Sequence, residues 1–171
     1  MKERISKLEY YLNIAKEVST RSTCLRKHYG AIIVKNDEII STGYNGAPKN
    51  RKNCCDCNYC LREKLKIPSG ERYELCRSVH AEANAIISAS RQELLHSNLF
   101  LYGFEKSNDD FTPINLPEPC SMCKRLIINA GIKNVIVPNI EKDIHGNINI
   151  VPVFTPVSDY IKNDDTYMIT M

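Results

Sequence analysis

A chain of 171 residues with 43% hydrophobic and 25% charged residues has the length and make-up of one domain with a core of its own. No apolar run approaches the ~20 residues of a membrane span, which excludes a membrane protein, and a net charge of +3 is too small to argue for bulk nucleic-acid binding. The cations that cluster, in "RSTCLRKH" at 21–28 and "KNRK" at 49–52, call for nothing larger than a phosphorylated small molecule.

"MKERISKLEYYLNIAKEVS" alternates charges with Ile5, Leu8, Leu12, Ile14 and Val18, which predicts an amphipathic helix ending near Ser19 to Thr23. Tyr10, Tyr11, Leu12 and Ile14 should serve a core or a subunit face. The segment lacks the apolar centre of a signal peptide, so the chain is expected to stay in the cytoplasm. Ala31–Lys35 and Glu38–Thr42 read as two β runs joined by the turn-forming pair Asn36-Asp37, a hairpin. Residues 47–77 have no sustained period and carry five cysteines; so long a connection needs something to order it.

A helix is expected from Val79 to about Arg91, with Ser78 as its N-cap and Ala83, Ile86 and Ile87 buried. "SNLFLYGF" reads as a strand and "KSNDDFTPINLPEP" as a polar, proline-broken loop. Cys120–Ala130 has helical spacing and stops at Gly131, and "KNVIVP" is a further strand. Beyond Pro138 only short β-like pieces such as "INIVPVF" stand out, so 1–138 is taken as the core and 139–171 as an extension of the same domain. The order α, β, β, α, β, α, β implies an α/β architecture, helices packed on a mixed sheet.

Eight cysteines are many for a reducing compartment, where thiols are kept for metals or catalysis rather than for disulfides. In "PCSMC", Cys120 and Cys123 are three apart, so on the first turn of a helix their sulfurs converge. A CxxC pair is half of a zinc site. No cysteine follows Cys123, which rules out a local zinc finger of the usual spacing, while upstream His80 heads another helix. One imidazole and two thiolates leave a fourth tetrahedral position open, as a catalytic zinc requires. Glu82, two residues from His80, can flank the same site only at the helix mouth; a carboxylate there is placed for general acid/base work.

"HAE" at 80–82 with "PCSMC" at 119–123 resembles the HxE and PCxxC signature of the zinc-dependent nucleobase and nucleotide deaminases. The resemblance runs from about Tyr29 to Pro138. It is closest to the deoxycytidylate branch, on "RSTC" at 21–24, "GAIIVKNDEIISTGYNGAP" at 30–48, "HAEANAI" at 80–86 and "IINAGIKNVIV" at 127–137. It implies a cytidine deaminase-like three-layer α/β/α fold with roughly five strands. It also implies hydrolysis of dCMP to dUMP and ammonia, with zinc on His80, Cys120 and Cys123 and Glu82 moving protons to N3 and to the leaving amine. Asn45 would contact the sugar and the Ala81 backbone N–H the pyrimidine carbonyl. The phosphate would fall to Arg26, with Arg21 and Lys27 as alternatives.

The same resemblance implies a homo-oligomer, often a hexamer, open to regulation by dCTP and dTTP. Relatives commonly reach PCxxC soon after a strand, whereas some fifteen residues follow Tyr102 here. Some dCMP deaminases carry an additional zinc on cysteines at the RSTC and post-GYNG positions. Cys24, Cys54, Cys60 and Cys76 match these, with Cys55 and Cys57 competing and unligated thiols as the alternative. Asn45 in Asn-Gly is equally a turn residue. His28, His96 and His145 have no partner motif. The competing functions are deamination of another nucleoside or base (cytidine, guanine, an RNA base) and a zinc-stabilised binding module. Glu82 separates them, because a purely structural site fills its fourth position with a protein ligand.

Overall fold

The computed structural model describes residues 4–68, 70–108, 110–142 and 148–163; His145 lies outside them. Helix α1 (Lys7–Ser19) begins on Ser6, whose Oγ accepts from the Glu9 N–H at 3.2 Å. Strands β1 (Lys27–Lys35) and β2 (Glu38–Tyr44) form the expected hairpin, with Asn36 and Asp37 at φ 51° and 68°. Positive φ at both central residues gives the turn whose twist matches the strands it joins, and Asn and Asp tolerate it.

The cysteine-rich connection is ordered by two single-turn helices, α2 (Cys54–Cys57) and α3 (Leu61–Lys64), and a 3-10 turn at Tyr73–Leu75. The helix expected from Val79 to Arg91 is instead two: α4 (Ala81–Ile87) and α5 (Arg91–Leu94). Serine chemistry makes the break. Ser88 Oγ donates back to the Asn84 carbonyl at 2.8 Å, and Ser90 opens α5 with a capping box closed by Glu93. Ile87, expected in the core, is 77% exposed; Ala81, Ala83 and Ala85 carry the buried stripe.

Strand β3 (Asn98–Ser107) is followed by β4 (Asp110–Pro113), which pairs back on it from Phe104↔Pro113 to Ser107↔Asp110. The first part of the segment read as a loop, to Pro113, therefore belongs to a second hairpin with Asn108 at φ 57° in its turn, while 114–119 is the expected irregular connection. Helix α6 (Ser121–Ala130) ends on Gly131 at φ 76°, as expected. Strand β5 (Asn134–Lys142) outruns Pro138, and β6 (Ile148–Pro156) pairs along it in nine-residue register before α7 (Val157–Lys162).

The sheet has six strands in the order β2-β1-β3-β5-β6 with β4 on β3, and the β3–β5 pair is its parallel one. Alternation along the central strands sorts the two faces. Ile32, Val34, Phe100, Tyr102 and Ile136 meet α1 through Tyr11, Leu12 and Ala15. Ala31, Ile33, Leu99, Leu101, Val135 and Val137 meet Ala81 and Ala85 of α4, Ile127 and Ala130 of α6 and Val157 of α7. The result is the expected three-layer α/β/α sandwich, with α4 and α6 side by side on one face. That adjacency brings residues 80 and 120 together.

Candidate active site

His80 and Cys120 are the N-cap residues of α4 and α6. Ser78, expected to cap α4, lies two residues too early. The entry to α4 is held by paired backbone bonds: Gly46 N–H to the Val79 carbonyl at 3.1 Å and Val79 N–H to the Gly46 carbonyl at 2.8 Å. These fasten the GYNG segment to the HAE segment. A second fastening is steric: a Cβ on Gly43 would stand 2.3 Å from the Ala81 carbonyl and 2.4 Å from the Ala85 nitrogen. Glycine there lets α4 lie directly on β2.

His80 Nδ1 is 3.4 Å from Cys120 Sγ and 3.5 Å from Cys123 Sγ. Tetrahedral zinc with Zn–N of about 2.0 Å and Zn–S of about 2.3 Å would hold a nitrogen and a sulfur about 3.5 Å apart. The donor set and its spacing therefore fit that ion. Among the described residues, this is the one group of three or more His, Cys, Asp or Glu whose ligand atoms all lie within 4.8 Å of one another, and no fourth such residue joins it.

The groups of the cluster perturb one another strongly. Hydrogen bonds to the Cys120 and Cys76 thiols push His80 up to about 10 against the opposing effect of burial. Cys120 is pulled down to about 4, first by the Cys123 thiol, with His80 helping. Cys123 is pushed up by the same Cys120 neighbour, by burial and by Glu82. Glu82 is 5% exposed, and burial raises its carboxyl above the ordinary carboxylate range.

His80, Ala81, Glu82 and Cys120 line a cavity of about 540 Å³, and so do Asn45, Arg26 and Lys27. Arg21 does not line it. Asn45 is no hairpin turn residue: its Oδ1 accepts from the Tyr29 N–H at 2.7 Å and its Nδ2 donates to the Lys27 carbonyl at 2.8 Å. Its buried amide fixes the start of β1 to the floor of the cavity. Lys27 is paired with Glu105 at 3.1 Å.

Several lining residues were given no place at the site by the sequence. Tyr73 stands edge-on to His80, ring centres 5.2 Å apart, and Arg62 lies over the Tyr73 ring at 4.7 Å. Lys124 is paired with Glu118 at 3.2 Å, and Ser78, expected only as a helix cap, lines the cavity too. Arg62 and Tyr73 sit in the aperiodic 47–77 segment, where no pattern announces which side chains turn inward; Lys124 could have been read one residue past Cys123.

Cys24, Cys60 and Cys76 line the same cavity and Cys54 lies behind them, but no three of these four sulfurs come within 4.8 Å of one another. Burial pushes Cys54 up to about 11, with Cys24, Cys60 and Cys76 adding to it. The Cys55 N–H donates to the Thr23 carbonyl at 3.2 Å, and the Thr23 N–H to that of Asn45, so the RSTC, GYNG and cysteine-rich segments form one connected floor. Cys55 and Cys57 are exposed.

The sequence profile of the cytidine and deoxycytidylate deaminase zinc-binding region matches residues 5–138. The chain belongs to this family. Deoxycytidylate deaminase of Mycobacterium phage D29 is 34% identical over 134 residues, covering 76% of this chain and 92% of the phage protein. That of Schizosaccharomyces pombe is 31% identical over 127 residues, 74% of this chain but 35% of the yeast protein. Among solved structures, cyanophage S-TIM5 dCMP deaminase in apo form superposes with a TM-score of 0.55 at 28% identity, over 80% of this chain and 86% of the cyanophage chain. Its complex with dCMP and dUMP gives 0.53 at 27%. The zinc of this deaminase family matches the donor set found at His80, Cys120 and Cys123. No helix among the described residues is long and apolar enough to cross a membrane.

Proposed function

We propose that this protein hydrolyses dCMP to dUMP and ammonia at the mouth of α4 and α6. The observation that carries the reading is Glu82: a carboxyl group buried in the wall of the cavity, beside a three-ligand cluster that no fourth protein ligand closes. A structural metal site would have no use for it.

His80, Cys120 and Cys123 would hold the zinc, which would supply the Lewis acid that makes water nucleophilic at neutral pH. Glu82 takes the proton that the attacking water gives up and delivers it to N3 of the pyrimidine. It then takes the remaining proton of the added water from the new C4 hydroxyl and hands it to the amine as the C4–N bond breaks and the C4 carbonyl forms, so that water and dCMP leave as dUMP and ammonia. Its raised pKa suits a group that must both accept and donate. Ala81, the first residue of α4, has a backbone N–H with no carbonyl one turn earlier to meet it, free for the pyrimidine 2-carbonyl. Asn45 is held rigid by β1 and keeps one amide hydrogen for a sugar hydroxyl. Arg26 and Lys27 supply positive charge on the same wall.

The relatives' names and the dCMP and dUMP in the cyanophage complex support dCMP over the alternatives. The test is a panel of dCMP, CMP, deoxycytidine and guanine, followed by ammonia release with zinc per chain measured on the same sample. Turnover of dCMP ahead of the rest supports the reading; turnover of another member alone replaces the substrate, and none at all returns the chain to a binding module.

The remaining assignments belong to the same reading. The thiols of Cys24, Cys54, Cys60 and Cys76 would have to close up from their present spacing to hold a second, structural zinc. All eight cysteines are free, as a reducing cytoplasm would keep them. The continuation of the sheet into β6 supports one domain over the whole chain. Ile87, Met122 and Leu126, exposed on α4 and α6, support a homo-oligomer, which sedimentation would test.

A further inference from the structure

Three buried side-chain polar atoms lack a hydrogen-bond partner among the described residues: Thr23 Oγ1, Arg62 Nε and Ser78 Oγ. Two of the three belong to residues that line the cavity beside His80. Buried polar groups are nearly always satisfied, so orphans that share one cavity point to something that enters it.

Arg62 is the more telling. It is 7% exposed, and no carboxylate within salt-bridge distance answers it among the described residues. Its Nη2 donates to the Pro68 carbonyl at 2.7 Å, which fixes the plane of the guanidinium without neutralising it. The Tyr73 ring beneath it, at 4.7 Å, adds a second restraint but no full charge. A guanidinium does not shed its proton, so a buried one calls for an anion. The other cations of the wall differ: Lys27 and Lys124 already have Glu105 and Glu118, and Arg26 is less deeply buried.

Position narrows the anion. Two ring contacts, 4.7 Å and 5.2 Å, lead from the guanidinium through Tyr73 to the His80 ring. A nucleotide whose reacting base edge faces His80 carries its phosphate on the far side of the sugar, a comparable span away. We propose that Arg62 is the specificity residue of this cavity: it receives the 5′-phosphate and makes the site select a nucleoside monophosphate over the free nucleoside. Ser78 Oγ, on the same wall, offers a hydroxyl to the same ligand. This inference rests on the nucleotide reading above and deepens it.

Binding of product, which needs no turnover, tests it. Calorimetry on zinc-loaded protein compares dUMP, deoxyuridine and inorganic phosphate, with wild type, Arg62→Met and Arg62→Lys. Expected is a preference of wild type for dUMP over deoxyuridine that falls 10- to 100-fold in Arg62→Met through weaker dUMP binding, with deoxyuridine changed less than threefold. Arg62→Lys keeps the charge but loses the planar fork, and should recover part of the preference; it also serves as the readout should the methionine variant not fold. Inorganic phosphate should compete with dUMP in wild type more strongly than in either variant. Equal losses for dUMP and deoxyuridine, or an unchanged preference, overturn the role of Arg62. If wild type does not prefer dUMP, the inference fails as well. Ammonia release from dCMP by the same wild-type sample reports separately on the deaminase reading.

Discussion

His80 Nδ1 and Cys120 Sγ stand 3.4 Å apart across forty positions of chain, each at the residue that caps a helix. The contact exists because α4 and α6 lie side by side on one face of the sheet, with Ala81, Ala85, Ile127 and Ala130 packed in one core. The metal centre is thus a consequence of how two helices are seated, and its failure modes are those of helix seating as well as of ligand chemistry.

Cys120→Ala should abolish the catalytic metal. Two ligands remain, and the His80 imidazole loses the neighbour that contributes most to its raised pKa. Zinc per chain should drop by one, measured by mass spectrometry of dialysed protein, and turnover should fall to background. A variant that holds its full zinc complement would show that the cluster was assigned wrongly.

Loading the metal-free chain should release protons. Between about 4, where Cys120 titrates, and about 10, where His80 does, Cys120 is ionised while His80 and Cys123 still carry protons. Zinc needs all three deprotonated, so about two protons should leave per ion and affinity should fall by roughly 100-fold for each unit of falling pH. Titration in two buffers of different ionisation enthalpy counts the protons. A count near zero would mean that the ligands are already deprotonated.

Gly43→Ala places a methyl group where the Ala81 carbonyl and Ala85 nitrogen now approach. Helix α4 must lift from β2, costing about 1–3 kcal/mol and moving His80 and Glu82 away from Cys120. Chemical denaturation should show the loss, and zinc should dissociate faster than from Thr42→Ala, a change at an exposed site on the same strand. Equal behaviour of the two would mean that α4 is not held by this contact.

Cys54→Ser tests the second zinc. Wild type should hold two zinc ions per chain and the variant one, with the ion at His80 retained. A wild-type count of one, unchanged in Cys54→Ser, would leave Cys24, Cys54, Cys60 and Cys76 as unligated thiols.

Most of the site was legible because its chemistry is local in sequence: HAE and PCSMC each sit at a helix start, and spacing alone places their side chains. The hairpin at Asn36-Asp37 was legible for the same reason. Asn108 lies in the turn between Ser107 and Asp110, but the flanks of that turn in sequence are Lys106 and Ser107 rather than apolar β formers, so the β4 hairpin was hidden. The break between α4 and α5 depends on which serines bond backward and which cap forward, a choice that composition does not reveal. Arg62 and Tyr73 were illegible because they turn inward from single-turn helices too short to show a period.

The central claim is that Glu82 moves the protons at a metal site that it does not help to build. The direct measurement is ammonia release from dCMP by zinc-loaded Glu82→Gln, beside its zinc content and thermal stability. Zinc and fold close to those of wild type, with turnover reduced by about 10²–10⁴-fold or more, are the predicted result. Turnover equal to wild type in a fully zinc-loaded variant would contradict it.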